Sequence, residues 1–172
     1  MKRYWSYLKY VLRHKWYVGA ECFKVGLYWR GIKHDWTKFL PDEFIPYARF
    51  FYNADGSKAQ RRDSTGYYKP YDTGDRSFDM AWLKHWHRHD HHWQHWMTVI
   101  DGGGTKPFEM SEMATREMVC DWIGAGKAQG FFSPPNDPMK ETRTWYEANK
   151  DKMQLGEGTR QATEKAIYGK EE

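Results

Sequence analysis

Residues 3–30 read RYWSYLKYVLRHKWYVGAECFKVGLYWR, a run that no proline interrupts. Trp5, Leu8, Leu12, Trp16, Phe23 and Leu27 recur at helical spacing along one face. Tyr7, Val11, Val18, Cys22 and Val25 make a second apolar face, and Lys9, Arg13 and Lys24 fall between the two, facing water. The pattern predicts one long helix, ended by Gly31 as its C′ residue. His14 lies on the second apolar face, either as a satisfied core histidine or as a ligand.

Downstream, helical signals dominate and strand signals are almost absent, so the predicted class is all-α. After the segment 32–39, Pro41 opens a short helix, Asp42 to Phe51, at a position where proline is tolerated. Residues 53–77 are rich in Gly, Ser, Asp, Lys and Arg, with Tyr67, Tyr68 and Tyr71 in the second half. A loop of that length is usually functional or disordered, and it reads as a lid or insertion beside a site. Ser77 to Trp96 reads as helical, with a possible break near Asp90. Asp101 to Gly104 is a turn. A helix over 109–125 carries the stripe Met110, Met113, Ala114, Glu117, Met118, Asp121 and Ala125, and Gly124 and Gly126 fray its end. Residues 131–139 are irregular. Helices over 141–152 and 159–168 follow, the second capped by Thr159.

The length of 172 residues suits one domain. The aromatic share is 18%, with ten Trp and twelve Tyr, so the core is expected to be built from rings whose polar tips need partners. Net charge is +4. Residues 1–40 hold nine Lys/Arg against two acids, hence +7, leaving −3 for the rest. Such a segment attracts a polyanion, unless it is simply a solvated basic face. Cys22 and Cys120 form no CxxC motif and no disulfide framework, which fits a reduced, cytoplasmic compartment. No uninterrupted apolar run follows the basic N-terminus, so neither a signal peptide nor a membrane partner is expected.

Six of the eight histidines fall between His85 and His95, in HWHRHDHHWQH. Imidazole is the commonest metal ligand among side chains. The Trp residues laced through the run argue against a solvated tail. His34 is followed at once by Asp35, and Asp121 sits inside an apolar stripe, where an ionised carboxylate needs a partner, a metal centre or an arginine. Imidazoles and carboxylates without thiolates suit Mn, Fe, Co, Ni or Zn.

Taken in order, His14, His34-Asp35, the clustered histidines and Asp121 resemble the HD superfamily of all-α metal-dependent phosphohydrolases. The resemblance implies an HD-domain-like fold over 1–172, with metal held by His14, His34, Asp35 and Asp121. It extends to Lys38 through the form H-D-x-x-K, which implies two metals and further histidine ligands in the interval that His87, His91 and His92 occupy. His87 and His91, four residues apart, would share a helix face. His92 would point roughly 100° away in a continuous helix and needs the break near Asp90. These three are preferred to His85, His89 and His95. Over its whole length the chain is similar to a phage-associated family, through the strings HDWTKF, EFIPYARFFY, HHWQHW and EMVCDWIGAG.

The function so implied is hydrolysis of a nucleotide or related phosphate ester by one or two divalent transition metals. Lys38 would meet the phosphate or steady developing charge. Glu117 would orient a ligand histidine. Arg13 and Lys33 would draw the anion in. Two rivals stand beside it. One is a di-iron oxygenase on the same fold, whose ligand set is similar. The other is a non-catalytic protein stabilised by structural zinc, binding a nucleotide or, less favoured, nucleic acid; the lack of thiolates weighs against it.

Overall fold

The computed structural model describes residues 1–67, 72–130 and 137–169. They form seven α-helices: α1 (Lys2–Lys24), α2 (Tyr28–Lys33), α3 (Pro41–Phe51), α4 (Arg76–Arg88), α5 (Glu112–Gln129), α6 (Pro138–Asn149) and α7 (Glu157–Tyr168). Short 3-10 turns cover Trp36–Phe39, Trp93–Trp96 and Lys150–Lys152. The chain is mostly helical, as predicted. A two-stranded antiparallel hairpin, β1 (Met97–Val99) and β2 (Thr105–Pro107), brackets the predicted glycine turn.

The N-terminal helix is shorter than predicted. Gly26 takes φ +77°, its N–H bonds to Phe23 O at 3.2 Å, and the N–H of Leu27 bonds to Cys22 O at 2.8 Å. This paired closure of the last turn is the Schellman motif, and it satisfies carbonyls a helix end would otherwise leave open. Gly31 is not the C′ residue. It lies buried within α2, where an added Cβ would stand 2.8 Å from Cys22 Cβ and 3.3 Å from Gly19 Cα. Its role is to let α2 lie close against α1.

Only one of the two predicted apolar faces of α1 enters the core. Tyr7, Val11, His14, Val18 and Cys22 are buried, whereas Trp5, Leu12, Trp16 and Phe23 are exposed. The buried face meets an aromatic cluster from α3 and α4, with Tyr47, Phe50, Phe78 and Trp82 among its members. Phe50 and Phe78 stack at 3.8 Å. A second core joins α5 to α6 and α7 through Val119, Ile123, Tyr146 and Ile167. Cys22 and Cys120 are free thiols buried with Val18 and Leu27 between α1 and α5.

Gly124 and Gly126 do not fray α5, which runs on to Gly130 at φ +84°. A Cβ at Gly124 would meet Val18 Cγ2 at 2.4 Å and Val18 N at 2.7 Å, so the glycine is where α5 crosses α1. Thr159 does not cap the last helix. α7 begins earlier, and Glu109 reaches its open end instead, accepting from Thr159 N and from Gly158 N at 3.2 Å. A carboxylate satisfies exposed N–H groups and suits the positive end of the helix dipole.

The described part of 53–77 is pinned at several points. Arg61 Nε donates to Phe50 O, Thr65 Oγ1 donates to Asn149 Oδ1, and Lys152 Nζ reaches Asp63. Tyr68 and Tyr71 lie outside the described residues.

Candidate metal centre

Four elements meet between the two cores. α1 brings His14, the link between α2 and α3 brings His34 and Asp35, α4 and the turn after it bring His85, His91 and His92, and α5 brings Glu117 and Asp121. Asp35 is the single non-glycine with positive φ among the described residues, at +51°. Left-handed backbone is sterically costly for a side chain and clusters at functional sites. Here it turns the carboxylate inward just as the 3-10 turn begins.

Four groups of ligand atoms converge among the described residues, and two of them share Asp35; the others are His34, His91 and Glu117, and Glu43, His85 and His89. In the first of the two that share Asp35, His14 Nε2 is 3.2 Å from both Asp35 Oδ2 and Asp121 Oδ1. His34 Nε2 lies 3.3 Å from His14 Nε2, 3.4 Å from Asp35 Oδ2 and 3.5 Å from Asp121 Oδ1. In the second, the other oxygen, Asp35 Oδ1, lies 3.3 Å from His85 Nε2 and 3.4 Å from His91 Nε2, and His92 completes the set. Atoms bound to a common ion at about 2.0–2.2 Å stand roughly 3.0–3.5 Å apart, so these spacings fit a shared cation.

The outer contacts set which atom of each ring faces inward. His34 Nδ1 is 2.8 Å from Glu117 Oε1, His91 Nδ1 is 3.3 Å from the same oxygen, and His85 Nδ1 is 2.8 Å from Glu43 Oε2. An ionised carboxylate only accepts, so each Nδ1–H donates, and in the neutral ring each Nε2 has its lone pair directed toward Asp35. Carboxylates placed this way fix tautomer and orientation at metal sites. Asp35 Oδ1, Asp121 Oδ1 and the Nε2 atoms of His85, His91 and His92 are all buried without a hydrogen-bond partner. Leaving so many converging acceptors unpaired is costly, and a cation among them removes that cost.

The electrostatics agree. Burial opposes charge on His34, but Asp35, Asp121 and Glu117 outweigh it and raise its pKa well above the usual value. Burial likewise opposes ionisation of Asp35, and His34, Lys38 and His85 overcome it, so the carboxyl stays well below its ordinary range. Asp121 and Glu117 are lowered too, against their burial, by the histidines around them. The pocket favours positive charge, which a proton on His34 or a metal ion would supply.

Among the predicted ligands, His14, His34, Asp35, His91, His92 and Asp121 come together, and His87 does not. α4 ends at Arg88, so His87 and His91 never share a helix face, and His87 points into solvent. His85 takes its place. It continues the buried stripe Phe78, Ala81, Trp82 and is fully enclosed. The predicted break is real, and it is what lets His91 and His92 turn inward. His89 and His95 serve elsewhere. His89 Nε2–H donates to Thr37 Oγ1 at 2.6 Å, and burial pushes its pKa down to about 3. His95 Nδ1 donates to Trp86 O.

Asp121 answers to histidines rather than to an arginine; the arginine in this region, Arg30, pairs with Glu117 and Asp90. Lys38 Nζ sits 2.5 Å from Asp35 Oδ2, so its present partner is a ligand carboxylate rather than open space. Arg13 and Lys33 are exposed, and Lys33 Nζ lies 5.1 Å over the Trp29 ring.

The sequence reading missed Glu43 and Arg30. Glu43 is buried on α3 and accepts from His85, from Thr37 Oγ1 at 2.9 Å and from Arg88 at 2.6 Å. Glu43→Gln keeps the shape but weakens the hold on His85. It is expected to lower metal affinity by about 10–100-fold, whereas the surface change His87→Ala leaves it unchanged. Metal titration of both variants checks this, and equal affinities would remove Glu43 from the site.

No curated protein and no solved structure matches the chain. One family model does, over residues 3–168. The chain therefore belongs to the family of unknown function described as DUF5662.

Proposed function

We propose that this protein is a metal-dependent phosphohydrolase of the HD type, acting on a nucleotide or related phosphate ester. The observation that carries the reading is the set of buried, unpaired acceptor atoms on both sides of Asp35. His14, His34, Asp35 and Asp121 would hold one divalent transition metal, and Asp35, His85, His91 and His92 a second. Metal bound there lowers the pKa of a water and polarises a phosphoryl oxygen.

The chain's own residues do the rest. Glu117 and Glu43 keep the imidazoles aimed. Lys38 holds Asp35 from the side and carries its charge at the edge of the site. Asp121 and Lys38 keep 13% and 12% of their side chains exposed, while His34 and His85 have none, so substrate approaches on the Asp121–Lys38 side. Tyr10 belongs to that same side. Its ring lies 5.9 Å from His14, and Lys38, Arg62 and Asp121 all act on its hydroxyl.

A panel of nucleotides and simple phosphate esters, assayed with Mn²⁺, Co²⁺ and Fe²⁺, tests the reading. Release of phosphate from at least one of them supports it. The histidine-rich ligand set also favours a second reading, a di-iron oxygenase. An iron charge-transfer band with oxygen uptake, and no phosphate release, would select it.

Lys38→Ala is expected to retain the wild-type metal complement and to lose activity, through KM if the lysine meets substrate in the ground state and through kcat if only in the transition state. Full activity at full metal content would take Lys38 out of the mechanism.

A further inference from the structure

The exposed face of α1 is the one its sequence pattern wrongly sends to the core. Trp5, Leu12, Trp16 and Phe23 stand 60%, 52%, 75% and 46% exposed along the side opposite His14. Phe23 meets Tyr28 edge-on at 5.2 Å, which carries the stripe on to Trp29 and Ile32 of α2, themselves 65% and 54% exposed. Soluble monomers rarely leave apolar surface this continuous uncovered.

Within residues 1–40 the exposed charges are all positive, and Asp55 lies beside Lys2 at one end of the helix. Lys2, Lys9, Arg13, Lys24 and Lys33 are exposed. Both acids of residues 1–40 are turned inward, Glu21 to Lys24 and Lys127, Asp35 to the metal pocket. Lys9 and Lys33 lay their ammonium groups over Trp5 and Trp29 at 5.4 and 5.1 Å.

We propose that the α1–α2 face docks on the surface of an anionic phospholipid bilayer. Tryptophan with flanking lysine suits the boundary between headgroups and acyl chains, and a helix with such a face lies in the plane of that boundary. Basic residues beside it are drawn to anionic headgroups. A second copy of the chain is disfavoured, because a two-fold contact through this face would set its cations against their counterparts. Leu12 and Ile32, which offer no ring for a base to stack on, favour lipid over single-stranded nucleic acid. The proposal concerns attachment only: among the described residues no helix is long and apolar enough to cross a membrane. It departs from the sequence expectation of no membrane partner, and it does not depend on the metal reading.

Co-sedimentation of the full chain with vesicles tests it. The chain should pellet with phosphatidylcholine vesicles containing about 30% phosphatidylglycerol and not with pure phosphatidylcholine, and about 0.5 M NaCl should release it. Trp16→Glu and Trp29→Glu should each cut binding by about tenfold or more, with an unchanged circular dichroism spectrum. Trp16→Ser provides the same readout if either glutamate variant fails to fold. Absence of wild-type binding at low salt would overturn the proposal, as would variants that bind like wild type. A dimer that Trp16→Glu dissociates, or tighter binding to single-stranded DNA than to the vesicles, would overturn it as well.

Discussion

His34→Ala and Asp121→Ala should each lose metal, and activity with it. Both side chains belong to the group completed by His14 and Asp35, and each substitution removes one of its four candidate ligands. Stability should follow. An ion that binds only the folded chain stabilises it by about 2.7 kcal/mol at one hundred times its Kd, and a variant that cannot bind forfeits that gain. Chelation should therefore lower the melting temperature of the wild type markedly and that of the two variants by less, since the group of Asp35, His85, His91 and His92 stays intact in both. Metal analysis and thermal melts with and without chelator check the point. A variant with wild-type metal content, or a wild type whose melting ignores chelator, would count against the site.

Gly124→Ala should destabilise the protein even though alanine is the better helix former. Helix propensity alone favours alanine by about 1 kcal/mol. Against it stands the backbone of Val18, whose N and Cα would lie 2.7 and 2.8 Å from the new Cβ. Backbone cannot swing aside as a long side chain can, and overpacking of this kind costs about 3 kcal/mol. The net loss of about 2 kcal/mol corresponds to a melting temperature lower by roughly 4–8 °C in a chain of this size. Because α1 carries His14 and α5 carries Asp121, forcing the helices apart should also weaken metal binding. A Gly124→Ala variant that melts at or above wild type would show that the two helices do not need this contact.

Much of the fold is legible in the sequence because helical periodicity is local. The Pro41 start is read almost to the residue, and a possible break near Asp90 is raised by the histidines, two residues beyond where α4 ends. What escapes is tertiary. A glycine beyond a periodic run reads as a stop, yet Gly31 and Gly124 are places where two helices touch. Two apolar faces on α1 read alike, and only the packing of α3, α4 and α5 decides which is buried. Glu109 caps α7 from some fifty residues away, which no local signal announces.

The site divides in the same way. Polar outliers in apolar stripes single out His14 and Asp121, the adjacent pair His34-Asp35 stands out by itself, and the structure brings all four together, because burying such groups demands a partner. Among six crowded histidines the four-residue spacing to His91 selects His87, but α4 ends at Arg88 before the two can share a face. The stripe Phe78, Ala81, Trp82, His85 carries the better signal, since it places His85 on the buried face. Glu43 lies fully buried on α3, but its sequence context of Asp42 and Pro41 resembles an ordinary acidic first turn.

As proposed above, Asp35 would offer one carboxylate oxygen to each of two metal pockets. Anomalous diffraction from crystals of the untagged chain, with metal content measured on the same sample, tests it most directly. Two anomalous peaks are expected, one among His14, His34, Asp35 and Asp121 and one among Asp35, His85, His91 and His92. Absence of metal from both pockets, or metal held instead by surface histidines such as His87 and His95, would contradict it.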